Sequence, residues 1–371
     1  MDKKQYDIFI FAGEQSGDIH GEKLLKALPH VRVFGVGGPG MRSTGMDCLM
    51  PMENFQVMGF SDVLLALPKL WSYFRILRRA IIDNNPKVVL LIDYPEFNML
   101  MARSLRKKGY RGKIIQYICP TIWAWRKHRI TALVDTLDLL LTIFPFESKY
   151  FAKTSLPIKY VGHPLAETID TAPESEKTFI GLFPGSRHKE ITINLAPMLA
   201  TAERLLNNNH DVKFGLSIAN EGILPHIQAI LATSTLKDNI TIFLPQHQQL
   251  LMRQCRAAIA TSGTVTLELA LHGIPTVVVY KLSTVNYFLA KYIFHIHLPN
   301  YCIVNIISGK DVFPELIHTQ FTIDNAYHNI QDLYLDGDKR DLCLKECDTI
   351  REILATTNAT ETAAQAIQEL L

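Results

Sequence analysis

Short runs of apolar residues recur along the chain, each closed by glycine, proline or small polar residues and most followed by a stretch of helical periodicity. Runs that are apolar at nearly every position, rather than at alternate ones, suit strands buried on both faces of a parallel sheet. Tyr6-Asp7-Ile8-Phe9-Ile10-Phe11-Ala12-Gly13 is the first, leading through Glu14-Gln15-Ser16-Gly17-Asp18 into a helical pattern carried by Leu24, Leu25 and Leu28. Residues 31–36, 88–92, 113–118, 137–143 and 158–161 continue the series. A second series begins at 179–183 and continues at 212–217, 240–244, 257–260 and 275–280. Between the two, Asp170-Thr171-Ala172-Pro173-Glu174-Ser175-Glu176-Lys177 is polar and aperiodic, as a linker is. The pattern predicts an α/β protein of two Rossmann-like domains with parallel sheets, facing each other across a cleft. Their expected bounds are 1–172 and 173–349, with a C-terminal helix, 350–371, packing back on the first. The length of 371 residues also exceeds what one core usually fills.

In such sheets ligands bind where strands end, so the residues after each carboxyl terminus are the site candidates. After the first strand these are Glu14, Ser16 and Asp18, of which Ser16 or Asp18 is expected to serve as a cap. The wholly apolar strand 88–92 delivers Asp93, a carboxylate placed to take a proton; Pro95 separates it from the helix at 99–107 that it would otherwise cap. In the second series, strand 179–183 stops at Pro184-Gly185, and Ser186 and Arg187 at the helix start favour an anion. Ser262, Gly263 and Thr264 expose amides at another helix start, and Glu268 lies about one turn on. Phosphate at that turn and a carboxylate for ribose hydroxyls suit a nucleotide; Leu267 stands where a capping box would need an acid. Asn300 and Asn305 follow an amphipathic helix expected at 285–294. Gly35, Gly37 and Gly40 match a dinucleotide fingerprint formally, but no long apolar-periodic helix follows them. His163 is expected to be structural, and Asp336-Gly337-Asp338 to be a solvated turn rather than a metal pair.

Composition removes several classes. The net charge of +2 gives no bulk attraction for nucleic acid, so the aromatic and basic cluster at 123–129 is expected to be a cleft wall. The six cysteines have no paired metal or disulfide spacing. The chain passes from Met1 almost directly into a strand, which suggests a cytoplasmic protein. Residues 63–79 are apolar first and basic later, interrupted by Pro68, and too broken to span a bilayer. They read either as a buried helix with one solvated face or as an interfacial segment. In the second case Val63, Leu64, Leu65, Leu67, Leu70 and Trp71 enter the acyl region, and Lys69, Arg75, Arg78 and Arg79 meet anionic headgroups.

Seven ordered motifs then resemble those of lipid-A-disaccharide synthases over nearly the whole chain. They are Gly13-Glu14-Gln15-Ser16-Gly17-Asp18, Val57-Met58-Gly59, Ile92-Asp93-Tyr94-Pro95-Glu96-Phe97-Asn98, Trp123-Ala124-Trp125-Arg126, Phe183-Pro184-Gly185-Ser186-Arg187, Thr261-Ser262-Gly263-Thr264 and Val304-Asn305-Ile306-Ile307-Ser308-Gly309-Lys310. The resemblance implies a GT-B type glycosyltransferase that moves a diacylated glucosamine from UDP to the 6-hydroxyl of diacylglucosamine 1-phosphate, with inversion. It implies Asp93 as catalytic base, with Glu14, Ser16, Asp18 and Asn98 at the acceptor. Ser186, Arg187, Ser262, Gly263, Thr264, Glu268 and Asn305 would hold the nucleotide. Neither metal nor other cofactor is expected. The partners implied are the two lipid substrates and the inner face of a membrane, with a homodimer possible. Gln15 and Tyr94 stand where the family often has small residues, and Lys310 where Arg is common. Two rivals are a transferase or epimerase acting on a soluble UDP-sugar, and a non-catalytic nucleotide-binding protein.

Overall fold

The computed structural model describes residues 5–55, 60–122, 129–167, 169, 172–208, 211–281, 299–355 and 357–371, with the side chains of 60–66 left aside. Three expectations therefore lie outside the described residues: the Val57-Met58-Gly59 and Trp123-Ala124-Trp125-Arg126 motifs, and the helix at 285–294. The chain divides into two compact units. The first holds Met1–Glu167 and Leu354–Leu371, and the second holds Thr168–Ile353.

The first unit is built on β1 (Ile8–Ala12), β2 (Val33–Gly37), β3 (Asp47–Pro51), β4 (Val88–Ile92), β5 (Lys113–Tyr117), β6 (Leu139–Thr142) and β7 (Ile158–Tyr160). They form one sheet in the order β3-β2-β1-β4-β5-β6-β7, every pair parallel. Alternate side chains of a strand leave on opposite faces, and here both faces are apolar. Phe9, Phe11, Val89 and Leu91 join one core cluster with Phe74, Leu77 and Ile81 of the helix Phe60–Asn84. Ile8, Ile10, Val88, Leu90 and Ile92 join the other, with Leu24 of the helix Gln15–Ala27. That second face also takes Ala363, Ala364, Ala366 and Ile367 of the helix Ala359–Gln368, so the chain end completes the first unit's core. The edge strand β3 was absent from the sequence expectations, because most of it is exposed and it lacks an apolar run.

Asp18 is turned into the fold. Its carboxylate accepts the backbone amides of Gly38 (2.8 Å), Gly40 (2.9 Å) and Met41 (2.9 Å), which caps the short helix Pro39–Ser43. A side chain at Gly38 would put its Cβ 2.5 Å from the Asp18 carboxyl carbon, so this glycine is required by the carboxylate's approach. The glycine-rich loop thus serves the fold, and Asp18, expected at the acceptor, caps this helix.

The second unit carries β8 (Phe179–Phe183), β9 (Lys213–Ser217), β10 (Ile240–Phe243), β11 (Cys255–Thr261), β12 (Thr276–Tyr280) and β13 (Glu315–Ile317). They form a parallel sheet in the order β10-β9-β8-β11-β12-β13. Asn305 is buried under it, its side chain spent on the backbone of Phe313 (2.8 and 2.9 Å) and on Glu315 (2.8 Å). Asn305, expected at the nucleotide, thereby ties the helix Ile303–Ser308 to the approach of β13. Glu174, within the predicted linker, pairs with Lys177 (2.8 Å), Arg340 (2.6 Å) and Arg256 (3.4 Å) and anchors the segment entering β8.

Asp18→Ala is expected to destabilise the protein by about 3 kcal/mol, because it strands three amides that a charged acceptor had satisfied. Denaturant unfolding measures this.

Candidate functional site

At the carboxyl end of β4 two consecutive non-glycine residues are left-handed, Asp93 with φ 46° and Tyr94 with φ 56°. Each costs about 1 kcal/mol or more in isolation, so the surroundings must over-determine the turn. The Asp93 amide stays in the ladder, donating to the Tyr117 carbonyl at 3.0 Å. The Tyr94 hydroxyl donates to the Phe55 carbonyl at 2.9 Å, and its ring packs against Phe11 and Phe97. Pro95 then opens the helix Pro95–Lys107. The result is a half-buried Asp93 carboxylate that accepts hydrogen bonds from the Ser16 side chain and the Tyr94 amide. Burial pushes the Asp93 pKa up and outweighs both hydrogen bonds, which is what a proton acceptor needs.

Of the residues expected beside it, Ser16 is in contact with Asp93. Glu14 is exposed at the N-cap of the helix Gln15–Ala27 without a side-chain cap bond. Asn98 is buried, and its side-chain amide donates to the Asp93 carbonyl. It supports the turn.

Nearby, Glu147 is buried, accepts the Phe144 amide at 3.2 Å and is hydrogen bonded to Cys119; burial raises its pKa to about 8. His163 is also buried, its pKa lowered to about 3 by burial. Its Nδ1 accepts the Leu165 amide at 3.2 Å, a structural use of the ring.

In the second unit a cavity of about 440 Å³ opens beyond β8, β9 and β11. Ser186, Arg187, Ser262, Gly263, Thr264 and Glu268 all line it. Thr264 and Val265 begin the helix Thr264–Leu271, where amides precede any helical acceptor and the helix dipole favours an anion. Gly185 has φ 109°, and a Cβ there would lie 2.9 Å from Glu190. The Arg187 side chain, 79% exposed, pairs with Glu190 at 2.7 Å. Burial raises the Glu268 pKa to about 7.

Glu190, Ser217 and Gln248 line the cavity too and were not singled out from sequence. Glu190 had a signal, an acid three residues past Arg187 on a helix face; the other two had none. Asn300 bonds Asp311 at 2.9 Å.

On the outer face of the helix Phe60–Asn84, Leu67 is 51% and Trp71 56% exposed, whereas Leu70 is half-buried against the core. A groove of about 650 Å³ there is lined by Trp71, Arg75, Ile76, Arg78, Arg79 and Lys108, among others. The side chains of Val63, Leu64 and Leu65 lie outside the described residues. No helix among the described residues is long and apolar enough to cross a membrane.

Two parallel-sheet units with ligand-type loops at their strand ends define the GT-B class. A calicheamicin glycosyltransferase shares the fold over 100% of this chain and 99% of its own, with a TM-score of 0.63 at 13% identity. A putative UDP-N-acetylglucosamine 2-epimerase from Listeria monocytogenes does so over 99% and 95%, with a TM-score of 0.61 at 13% identity. Sequence goes further than fold. The lipid-A-disaccharide synthetase family profile matches residues 8–370. The lipid-A-disaccharide synthase of Geobacter sulfurreducens is 34% identical, over 98% of this chain and 97% of its own. That of Chlamydia muridarum is 40% identical over 98% of this chain and 59% of its own, so the chain spans about three fifths of this relative. The chain belongs to the lipid-A-disaccharide synthetase family.

Because the folded pKa of Glu268 (about 7) lies above its ordinary 4.5, the folded protein holds this proton more tightly than the unfolded one. Its contribution is fully present below pH 4.5 and is lost as pH rises through about 7. Glu268→Gln should flatten that part of a stability profile measured by thermal unfolding across pH.

Proposed function

We propose that the protein transfers a 2,3-diacylglucosamine from UDP to the 6-hydroxyl of 2,3-diacylglucosamine 1-phosphate, with inversion, forming the β-1,6 disaccharide and releasing UDP. Beside the family, the observation that carries this is the cavity of the second unit, where an anion-favouring helix start, Arg187 and Glu268 meet. The amides near Thr264 and the Arg187 guanidinium take the diphosphate, Arg187 leaving Glu190 for it, and Glu268 takes the ribose hydroxyls. In the first unit Asp93 accepts the proton of the acceptor hydroxyl. The oxygen forms its bond to the anomeric carbon as the bond to UDP breaks, and UDP leaves with that electron pair. Ser16 orients the Asp93 carboxylate through their hydrogen bond.

Epimerases share this fold, so the product separates the readings. Incubation with UDP-diacylglucosamine, with and without the monosaccharide phosphate, should give a disaccharide mass only when both are present. An altered UDP-sugar without acceptor would support an epimerase, and no product at all would support a binding protein.

Both lipids carry acyl chains, each buried methylene worth about 0.8 kcal/mol, so the enzyme works at the cytoplasmic face of a membrane. Exposed Leu67 and Trp71 beside Arg75 and Arg79 support that placement.

Asp93→Asn should lower turnover by about a hundredfold to ten-thousandfold while calorimetry finds UDP binding intact, and Glu268→Ala should weaken UDP binding. With protein groups meeting the diphosphate charge, activity is expected to survive a chelator; loss restored by magnesium would contradict this. Leu67→Ser with Trp71→Ser should reduce binding to anionic liposomes without changing UDP affinity.

A further inference from the structure

β5 carries a glutamine where its neighbours are apolar. Gln116, in Lys113-Ile114-Ile115-Gln116-Tyr117, is 2% exposed, and a primary amide placed there costs stability unless it is hydrogen bonded. Its Nε2 faces the carbonyls of Ile118 (3.1 Å), Asp93 (3.3 Å) and Tyr117 (3.3 Å). Its Oε1 receives the Asn98 amide at 3.3 Å, and the same Asn98 nitrogen donates to the Asp93 carbonyl. Ile118 is itself left-handed, with φ 73°, an outlier for a β-branched residue. The amides of Gln116 and Asn98 therefore bridge two strained turns, one after β4 and one after β5. Rotating the peptide between Asp93 and Tyr94 out of its strained conformation would pull the Asp93 carbonyl from both amides at once.

We propose that Gln116, acting with Asn98, is a positioning residue that holds the Asp93 carboxylate in place by locking these two turns together. This rests on the assignment of Asp93 as the base. An apolar residue of the same length would take the Gln116 donor from all three carbonyls, leaving the Asp93 carbonyl to Asn98 alone and the Tyr117 carbonyl to the Asp93 amide alone; the turn would relax and release the carboxylate towards water.

The test uses the full chain with Gln116→Met, which keeps the shape and removes the amide, and Gln116→His, which keeps an N–H donor of similar reach. The Asp93 carboxyl titration is followed by 13C NMR, with Asp93→Asn to assign the signal, alongside turnover and UDP affinity. In Gln116→Met the titration should move down towards the ordinary carboxylate range. Turnover should fall by about tenfold to a hundredfold, the scale of a slightly misplaced catalytic group, with UDP affinity unchanged. Gln116→His should restore most of both. An unchanged Asp93 titration in folded Gln116→Met overturns the proposal, even if stability falls. If that variant does not fold, Asn98→Ala is judged by the same shift. Near-normal turnover by Asp93→Asn would sink the base assignment instead, and the titration would still decide whether Gln116 positions Asp93.

Discussion

A strand buried on both faces must turn within a residue or two of leaving its sheet, and its last carbonyls must find donors where water does not reach. After β4 the first unit meets that constraint with two left-handed residues, Asp93 and Tyr94. The amides of Asn98 and Gln116, the Tyr94 hydroxyl and Pro95 all secure the same turn. The carboxylate inherits its position from this arrangement. It stays half-buried, so its proton affinity is raised, and close enough to Ser16 to be oriented. Strain maintained by so many contacts is consistent with a functional use of the turn.

The second unit solves a different problem with simpler means. Its cavity draws positive potential from backbone: the start of the helix Thr264–Leu271, with Gly185 and Gly263 among the lining residues and Arg187 beside them. Glu190 faces Arg187 and holds the cation at the rim. Burial of Glu268 keeps an acid close to neutrality in pKa, so its charge changes with pH around neutrality.

Much of this was legible in the sequence because parallel strands leave continuous apolar runs and ligand loops follow their carboxyl ends. Ser186, Arg187, Ser262, Gly263, Thr264 and Glu268 could be named from that rule, and Ser16 and Asp93 proved to be in contact. The rule marks where a residue sits along the chain and is silent on where its side chain turns. Asp18 and Asn305 lie in the first turns of helices that follow the expected loops, and their side chains are engaged by backbone amides and carbonyls. β3 escaped notice because an exposed edge strand has no apolar run. Gln116 escaped because its role depends on a partner in the neighbouring turn, which no periodicity displays.

The central claim is a single displacement in which Asp93 takes one proton and no protein group becomes bonded to the sugar. The anomeric configuration of the disaccharide, read from its proton NMR coupling and compared with that of the UDP-sugar donor, tests this most directly. Inversion is the predicted result. Retention would require a second displacement through a nucleophile or a different leaving path, and would contradict the role given to Asp93.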